Sequence, residues 1–105
     1  MSKDRVAMNK STFVARYAEI NGISKRRASI EVDNFLTALY KTLAGGEGVK
    51  FPGFGNFVLK YRKPSVGHLN FGPNAGGPMV VPERYNLAFD ASNALKDDVR
   101  KIAVD

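Results

Sequence analysis

The spacing of apolar residues predicts two helices in the first part of the chain. A first helix is indicated where such residues recur at steps of three and four positions, at Phe13, Val14, Tyr17, Ala18 and Ile20. Asn9 or Ser11 can cap its start, and Gly22 favours its end because glycine readily adopts the left-handed conformation. Ser24 then predicts the cap of a second helix, whose apolar stripe comprises Ala28, Val32, Phe35, Leu36, Leu39 and Leu43.

Three cations open the second predicted helix, at Lys25, Arg26 and Arg27. Positive charge in a first turn opposes the helix dipole, so these residues are a poor choice for helix stability. Two interpretations remain open. The cations form a solvated face, or they contact backbone phosphate of a nucleic acid.

The period changes from helical to alternating after Gly45-Gly46. A short strand is predicted over Val49 to Phe51, followed by a turn at Pro52-Gly53. Two longer stretches alternate with the period of a half-buried strand, one at Phe57, Leu59 and Tyr61 and the other at Tyr85, Leu87 and Phe89. The chain is therefore predicted to be α+β, with a β-meander that follows two helices.

The segment between these strands, GHLNFGPNAGGPMVVP over residues 67–82, is rich in glycine and proline. It carries no formal charge, and only His68 can acquire one. Because the flanking strands can pair, the segment is predicted to be the distal part of a long hairpin rather than a domain linker. A third helix is predicted from Ala91 to Ile102, with Asp90 as its cap and with a buried face of Ala91, Leu95, Val99 and Ile102.

Composition favours a single small domain with an anionic partner. The chain has 105 residues and a net charge of +6, and its isoelectric point is about 9.8. Nucleic acid is the commonest partner of a compact basic domain, although charge alone also serves solubility. There is no cysteine, no apolar run of roughly 20 residues that could span a membrane, and no apolar core of a signal peptide. The expected location is the cytoplasm.

The residue inventory argues against an enzyme. The chain has one histidine, His68, which is more often a plain loop residue than a catalyst. Asp97 and Asp98 are adjacent, and adjacent helical residues point to different sides. No phosphate-binding loop or metal-ligand spacing occurs, so no cofactor, metal or small-molecule substrate is expected.

The supply of bulky apolar residues exceeds what one small core can cover. Without the hairpin tip and the N-terminal residues, about 80 residues remain to form a core, and a core of that size gives only marginal stability. A homodimer would pool these residues into one interior, and its predicted core is Phe35, Leu39, Leu43, Phe54, Phe57 and Phe89. The alternative is a monomer with a tightly wrapped core.

Three stretches resemble the HU and integration host factor family of bacterial DNA-bending proteins. They are Met8-Asn9-Lys10-Ser11, Gly53-Phe54-Gly55-Asn56-Phe57 and Ala94-Leu95-Lys96-Asp97. The resemblance covers nearly the whole chain from Met8 to Ile102. It implies an intertwined homodimer with a helical base, an antiparallel β-sheet saddle and two extended β-arms. On this basis residues 1–8 form a flexible tail, and residues 9–105 form one domain with its arm at about 62–85.

The resemblance also implies how the arms act. An arm enters the DNA minor groove, and a proline at its tip wedges between base pairs and kinks the duplex. Pro73, within Pro73-Asn74-Ala75-Gly76, matches that intercalating residue. Lys10 and Lys96 match basic positions that face DNA, and Asp33 matches an acidic residue that can pair with Lys10. The expected function is architectural, nucleoid-associated DNA binding with bending or compaction.

Residues around the arm are expected to supply the grip. Cations at its base can neutralise phosphates or enter the narrow groove, namely Lys60, Arg62, Lys63 and Arg84. His68, Asn70 and Asn74 can donate to minor-groove acceptors. Those acceptors are nearly the same for A·T and T·A, so little sequence preference is expected, and bent, nicked or flexible DNA is favoured.

The chain departs from the family pattern in its arm. Residues 64–82 carry no lysine or arginine, and the arm is longer ahead of Pro73. Phe71 and Pro78 are therefore alternative wedges. Two other functions stay open. Residues 13–35 imitate a helix-turn-helix regulator with NGIS as the turn, and the neutral arms of a family-like dimer could grip a protein partner.

Overall fold

A computed structural model describes residues 3–68 and 78–104 of the chain. Two helices come first, followed by five strands and a closing helix. The elements are α1 (Lys10–Asn21), α2 (Lys25–Ala44), β1 (Val49–Phe51), β2 (Gly55–Arg62), β3 (Ser65–His68), β4 (Pro78–Val81), β5 (Arg84–Ala91) and α3 (Asn93–Arg100). The predicted α+β class and order of elements are confirmed.

The junction of α1 and α2 forms as its sequence predicts. The side chain of Asn9, rather than that of Ser11, caps α1 by accepting a hydrogen bond from the Thr12 amide at 2.9 Å. Gly22 ends α1 at φ 64°, in the left-handed region where a side chain would be strained. The Ser24 hydroxyl then accepts from the Arg27 amide at 3.1 Å and starts α2. Local capping chemistry therefore fixes this helical hairpin.

The strands form two antiparallel sheets that continue one another along the chain. The first has the order β1-β2-β5, with Phe57 opposite Phe89 and Arg62 opposite Arg84. The second consists of β3 and β4 and begins at the pair Ser65 and Val81. The chain thus leaves β2, runs out along β3, and returns through β4 to β5. The described residues on the two sides of the intervening segment, 65–68 and 78–81, therefore pair with each other as β3 and β4.

The predicted start of the third helix is wrong. Asp90 does not cap α3, because Asp90 and Ala91 are the last residues of β5 and pair with Asn56 and Gly55. Ser92 is the cap instead. Its hydroxyl accepts from the Leu95 amide at 3.1 Å and donates to the Gly53 carbonyl at 3.1 Å, which ties the helix to the β1–β2 turn.

The predicted buried face of α3 is not buried within one chain. Val99 is 54% exposed and Ile102 is 50% exposed, and no residue of α3 is buried. The helix is amphipathic in sequence, but its apolar side meets too little of its own chain to be covered. In a single copy this side remains open to solvent.

Very few side chains are buried in the described part of the chain. Only Ala18, Ala28 and Val32 form a buried apolar core, and no large side chain is fully buried there. Phe35 of α2 is 54% exposed, although it belongs to the predicted apolar stripe. A single copy therefore leaves much of its apolar surface in contact with water, where it contributes little to stability.

Candidate nucleic-acid interface

A cluster of aromatic rings packs the β1–β2–β5 sheet against α2. The ring centroids of Phe57 and Phe89 lie 4.9 Å apart, and those of Phe54 and Phe89 lie 5.3 Å apart. Phe51 links these rings to α2, because its ring centroid lies 6.0 Å from that of Phe35 on α2 and 6.2 Å from that of Phe57 on β2. Sequence reasoning assigned Phe51 to a strand but missed this central position. The alternation of Val49 and Phe51 was the available signal.

The β2–β5 pair separates an apolar face from a basic face. Residues directly opposite each other share a face, and faces alternate along a strand. One face carries three apolar or aromatic pairs, which are Phe57 with Phe89, Leu59 with Leu87, and Tyr61 with Tyr85. The other face carries Val58 with Ala88, Lys60 with Asn86, and Arg62 with Arg84. The strand register alone therefore gathers three cations on one side.

The basic face holds like charges in direct opposition at the end of the sheet. Arg62 pairs in register with Arg84, and no acidic side chain forms an ion pair with either of them among the described residues. Such opposition destabilises a sheet unless an anion lies between the charges. Further in, the Lys60 ammonium lies 3.9 Å from an Asp90 oxygen, a contact too exposed to contribute much. The geometry suits a phosphate at the Arg62–Arg84 pair.

The remaining predicted arm residues are described to different extents. Lys63 lies between β2 and β3 and is exposed. His68 is the last residue of β3, and its side chain is not described. Asn70, Pro73 and Asn74 lie outside the described residues, as does the alternative wedge Phe71.

A second cationic surface lies between the first halves of α1 and α2. Lys10, Lys25 and Arg26 line one shallow depression together with Ser11 and Ser29. Sequence reasoning considered Lys10 and the α2 cations separately and missed that the helical hairpin brings them together.

Lys10 forms an ion pair with Asp33 of α2. This confirms the pairing that the resemblance implied. Asp33 Oδ1 is shielded from solvent and has no hydrogen-bond partner, so the ammonium group is its compensating charge. Both side chains are otherwise about half-exposed, which keeps the pair weak and open to competition by another anion.

Arg27 is engaged differently from its two neighbours. Its Nε donates to Glu31 at 2.8 Å, and the Tyr17 hydroxyl donates to the same carboxylate at 2.8 Å. The bond from Tyr17 lowers the pKa of Glu31, and the Arg27 guanidinium lowers it further. The same bond raises the pKa of Tyr17. Arg27 therefore stabilises the α1–α2 contact, in agreement with the solvated-face interpretation for this residue.

Lys96 and the N-terminal residues lie around α3. Lys96 is exposed on the first half of that helix and borders a shallow groove with Leu95 and Val99. The Arg5 guanidinium donates to the Ala103 carbonyl at 3.2 Å, so the tail lies beside the end of the chain. Described residues of α3 and the tail thus share one surface.

Two negative findings concern the described residues only. No helix there is both long and apolar enough to cross a membrane. No group of three or more histidine, cysteine or acidic side chains there could hold a metal ion.

A basic α+β chain with one cationic sheet face has the features of a DNA-binding protein. Comparison with known proteins identifies its family. Residues 8–100 match the model of the family described as bacterial DNA-binding protein, and the chain belongs to this family, which includes HU and integration host factor. It is 33% identical over 93 residues to the SPbeta prophage-derived DNA-binding protein HU 2 of Bacillus subtilis, covering 89% of this chain and 98% of that protein.

Other relatives and solved structures agree with this assignment. Integration host factor subunit beta of Nitrosospira multiformis is 34% identical over 93 residues, covering 88% of this chain and 96% of that protein. The fold is similar to HU in an Anabaena HU–DNA cocrystal structure, with a TM-score of 0.78, 26% identity, and coverage of 90% of this chain and 100% of that one. HU from Thermotoga maritima gives a TM-score of 0.59 at 25% identity, covering 88% and 98%.

Family membership settles the class of function. The chain is a non-enzymatic DNA-binding protein with the HU fold, as predicted. The helix-turn-helix alternative is not supported, because the match extends over the sheet and α3 as well as over the two helices.

Proposed function

We propose that the protein acts as an intertwined homodimer. Support comes from the apolar surface that one chain leaves uncovered. A groove of about 530 Å³ between α1 and α2 is lined mainly by apolar side chains, including Met8, Phe13, Phe35 and Leu36. Leu39 and Leu43 continue the stripe along α2, and Phe54 and Phe89 are still 50% and 42% exposed. A second copy would cover these side chains and supply the large core that one chain lacks.

The dimer would hold duplex DNA against the basic face of its sheets. The observation that carries this proposal is the register pair Arg62–Arg84, with Lys60 on the same face and the aromatic cluster on the other. Cations directly opposite each other favour a bound phosphate, and the aromatic face is left for the protein interior. Lys10 and Lys96 would extend the contact to DNA on either side. Each phosphate contact releases counterions, so affinity should fall steeply with salt.

The arms would enter the minor groove and bend the duplex. Pro73 is proposed as the intercalating residue from the sequence resemblance alone. An uncharged, rigid ring suits a wedge because no charge has to lose its water between bases. Unstacking a base step costs a few kcal/mol, which contacts between the bent DNA and the basic surface would offset. Donors such as Asn70 and Asn74 would read a groove that distinguishes bases poorly, so sequence preference should be low and association with the nucleoid broad.

Binding is tested by a salt titration on linear, nicked and four-way DNA of equal length. A log–log slope that corresponds to several phosphate contacts, together with tighter binding to nicked and four-way DNA, is expected. The uncharged arm favours one other function, in which the arms of a family-like dimer grip a protein partner. Binding that is weak and insensitive to salt on all three DNAs would support that function and contradict ours.

The wedge is tested by measuring end-to-end energy transfer in a short duplex labelled at both ends. Pro73→Ala should leave the duplex closer to straight at saturating protein, while Pro78→Ala and Phe71→Ala bend it as the unmodified chain does. If Pro78→Ala or Phe71→Ala straightens the duplex instead, that residue is the wedge. If the unmodified chain leaves the duplex straight, the bending proposal fails.

A further inference from the structure

The arm is separated from the body of the protein by an interruption in both strands. The β2–β5 ladder ends at Arg62 and Arg84, and the β3–β4 ladder begins at Ser65 and Val81. The two sheets are distinct. The residues between them, which belong to neither ladder, are Lys63 and Pro64 on the outgoing strand and Pro82 and Glu83 on the returning strand.

Proline occurs on both sides of this interruption. Pro64 and Pro82 have no amide hydrogen, so neither can donate a ladder hydrogen bond. The backbone bonds that would make the arm and the body one rigid sheet are therefore missing at this level. Hinges in proteins are typically a few residues long and lie between two rigid elements, as these four residues do.

A hydrogen bond between two side chains ties the β2–β5 sheet to Glu83, one of the four residues of the interruption. Tyr61 is the second-last residue of β2, and its hydroxyl donates to Glu83 Oε2 at 2.6 Å. The length is typical of a hydroxyl bonded to an ionised carboxylate. The bond raises the pKa of Tyr61. Because Tyr85 faces Tyr61 in register and their ring centroids are 6.0 Å apart, the Tyr61 ring is already held against β5.

Glu83 has an unusual electrostatic setting. It is the only acidic residue between Glu47 and Asp90, and its neighbours in this region are Arg62, Lys63 and Arg84. It nevertheless forms no ion pair of 4.0 Å or less with any of these cations in the described part of the chain. A carboxylate close in sequence to cations that are proposed to hold phosphate would weaken DNA binding, so its presence needs another explanation. Its bond to Tyr61 provides one.

We infer that Tyr61 and Glu83 form a latch that sets the direction of the arm relative to the sheet. With the latch closed, the arm leaves the body in one direction, and the cations of the opposite sheet face stay available to phosphate. With the latch removed, the hinge would allow a wider range of arm directions. Tyr61 is thus a positioning residue. Its effect on DNA rests on the proposed function, but the latch itself is a property of the free chain.

The test measures the direction of the arm in the absence of DNA. The chain has no cysteine, so Arg16→Cys on α1 and Val80→Cys on β4 give two defined sites for spin labels, both at exposed positions. Labelled chains are diluted into an excess of unlabelled chains, so that pulsed dipolar spectroscopy reads only the distance within one chain. This holds whether the protein is a monomer or a dimer.

Tyr61→Phe should broaden the distance distribution at least about two-fold, because it removes the hydroxyl and keeps the ring. Tyr85→Phe is the matched control, since the Tyr85 hydroxyl has no hydrogen-bond partner among the described residues, and it should leave the width unchanged. Glu83→Ala should match Tyr61→Phe, and the double variant should be no broader than either. Equal widths in the unmodified chain and in Tyr61→Phe would overturn the latch.

A DNA measurement then separates the latch from the charge of Glu83. Tyr61→Phe keeps the carboxylate, so it should make the bent state more heterogeneous in energy transfer and weaken binding by about three- to ten-fold. Glu83→Ala also loses the latch, but it removes a repelling charge and should lose less affinity than Tyr61→Phe. If Tyr61→Phe broadens the distance distribution but the unmodified chain does not bend DNA, the latch stands and the proposed function is refuted.

Discussion

The rings of Phe57 and Phe89 face each other across the centre of the sheet, with centroids 4.9 Å apart and planes at 42°. Each comes from a different strand of the hairpin, and the register pair Phe57–Phe89 holds them together. Phe89 nonetheless remains 42% exposed in one chain. A tilted aromatic pair of this kind contributes about 0.5–1.5 kcal/mol beyond its buried area, and it would contribute most if a second copy completed its surroundings.

Phe89→Ala should lower the free energy of unfolding by about 3 kcal/mol, because in a dimer it empties part of a shared core. The measurement is urea unfolding at several protein concentrations, with the midpoint of the unmodified chain rising as concentration rises. Val6→Ala, at a residue that is 98% exposed, should change nothing. A midpoint that does not depend on concentration would show that the folded unit is a monomer.

Gly55→Ala should destabilise the protein by about 1–3 kcal/mol through overpacking. A Cβ atom at Gly55 would lie 2.6 Å from Phe89 Cζ and 2.8 Å from the Asp90 carbonyl oxygen, and the latter cannot move without disturbing the ladder. Gly45→Ala is the control, since its φ of −79° suits any residue and its Cβ would approach the Lys41 oxygen at 3.1 Å. Thermal unfolding compares the two, and equal effects would refute the close packing at Gly55.

Arg62→Gln should weaken DNA binding and reduce the slope of log affinity against log salt by about one. The same change should leave thermal stability unaltered or slightly raised, because it relieves the like-charge pair with Arg84. Arg16→Gln, which removes a charge from the exposed side of α1, is the control and should alter the slope little. An unchanged slope in Arg62→Gln would remove this face from the DNA interface.

Asp33→Asn should tighten DNA binding a few-fold at low salt. It removes one negative charge and releases the Lys10 ammonium to a phosphate. Since both partners are about half-exposed, stability should change by less than about 1 kcal/mol. Asp98→Asn, which alters the exposed pair with Lys101 on α3, serves as the control. Weaker binding by Asp33→Asn would mean that Lys10 acts within the fold and not on DNA.

The pair Tyr17–Glu31 should make stability depend on pH at both extremes. The folded pKa of Glu31 lies below 4.5, so its stabilisation is present above about pH 4.5 and is lost as the pH falls through the lowered value. The folded pKa of Tyr17 lies above 10.0, so its contribution is present below pH 10.0 and is lost as the pH rises through the raised value. Thermal unfolding across this range should show both limbs in the unmodified chain.

Tyr17→Phe should flatten both limbs of that profile, and Glu31→Gln should flatten the acid limb. Glu19→Gln, at an exposed carboxylate on the same helix, should leave both limbs in place. If Tyr17→Phe keeps the full profile, the pH dependence arises elsewhere in the chain.

Most of the helices and strands could be predicted from the sequence, because the signals that define them act over only a few neighbouring residues. Asn9, Gly22 and Ser24 act through backbone groups in their own turns, and the alternation of β2 and β5 is visible without knowledge of their pairing. The start of α3 could not be decided in this way. Asp90 and Ser92 are both good caps, and only the pairing of Ala91 with Gly55 shows that the strand continues past Asp90.

The candidate site depends more on tertiary register than on local pattern. The opposition of Arg62 and Arg84 and the diagonal contact of Tyr61 with Glu83 follow only from which residues face each other. The grouping of Lys10 with Lys25 likewise needs the angle between two helices. The role of Pro73 was inferred from resemblance, and it stays a prediction.

The prolines that interrupt the arm also limit what else can attach to it. A long hairpin has edges lined with unpaired amides and carbonyls, which invite other chains to add as further strands. Pro64 and Pro82 divide that edge, because neither residue can donate a ladder hydrogen bond. The two prolines thus hinder the arms of separate copies from joining edge to edge into fibres, even at high protein concentration.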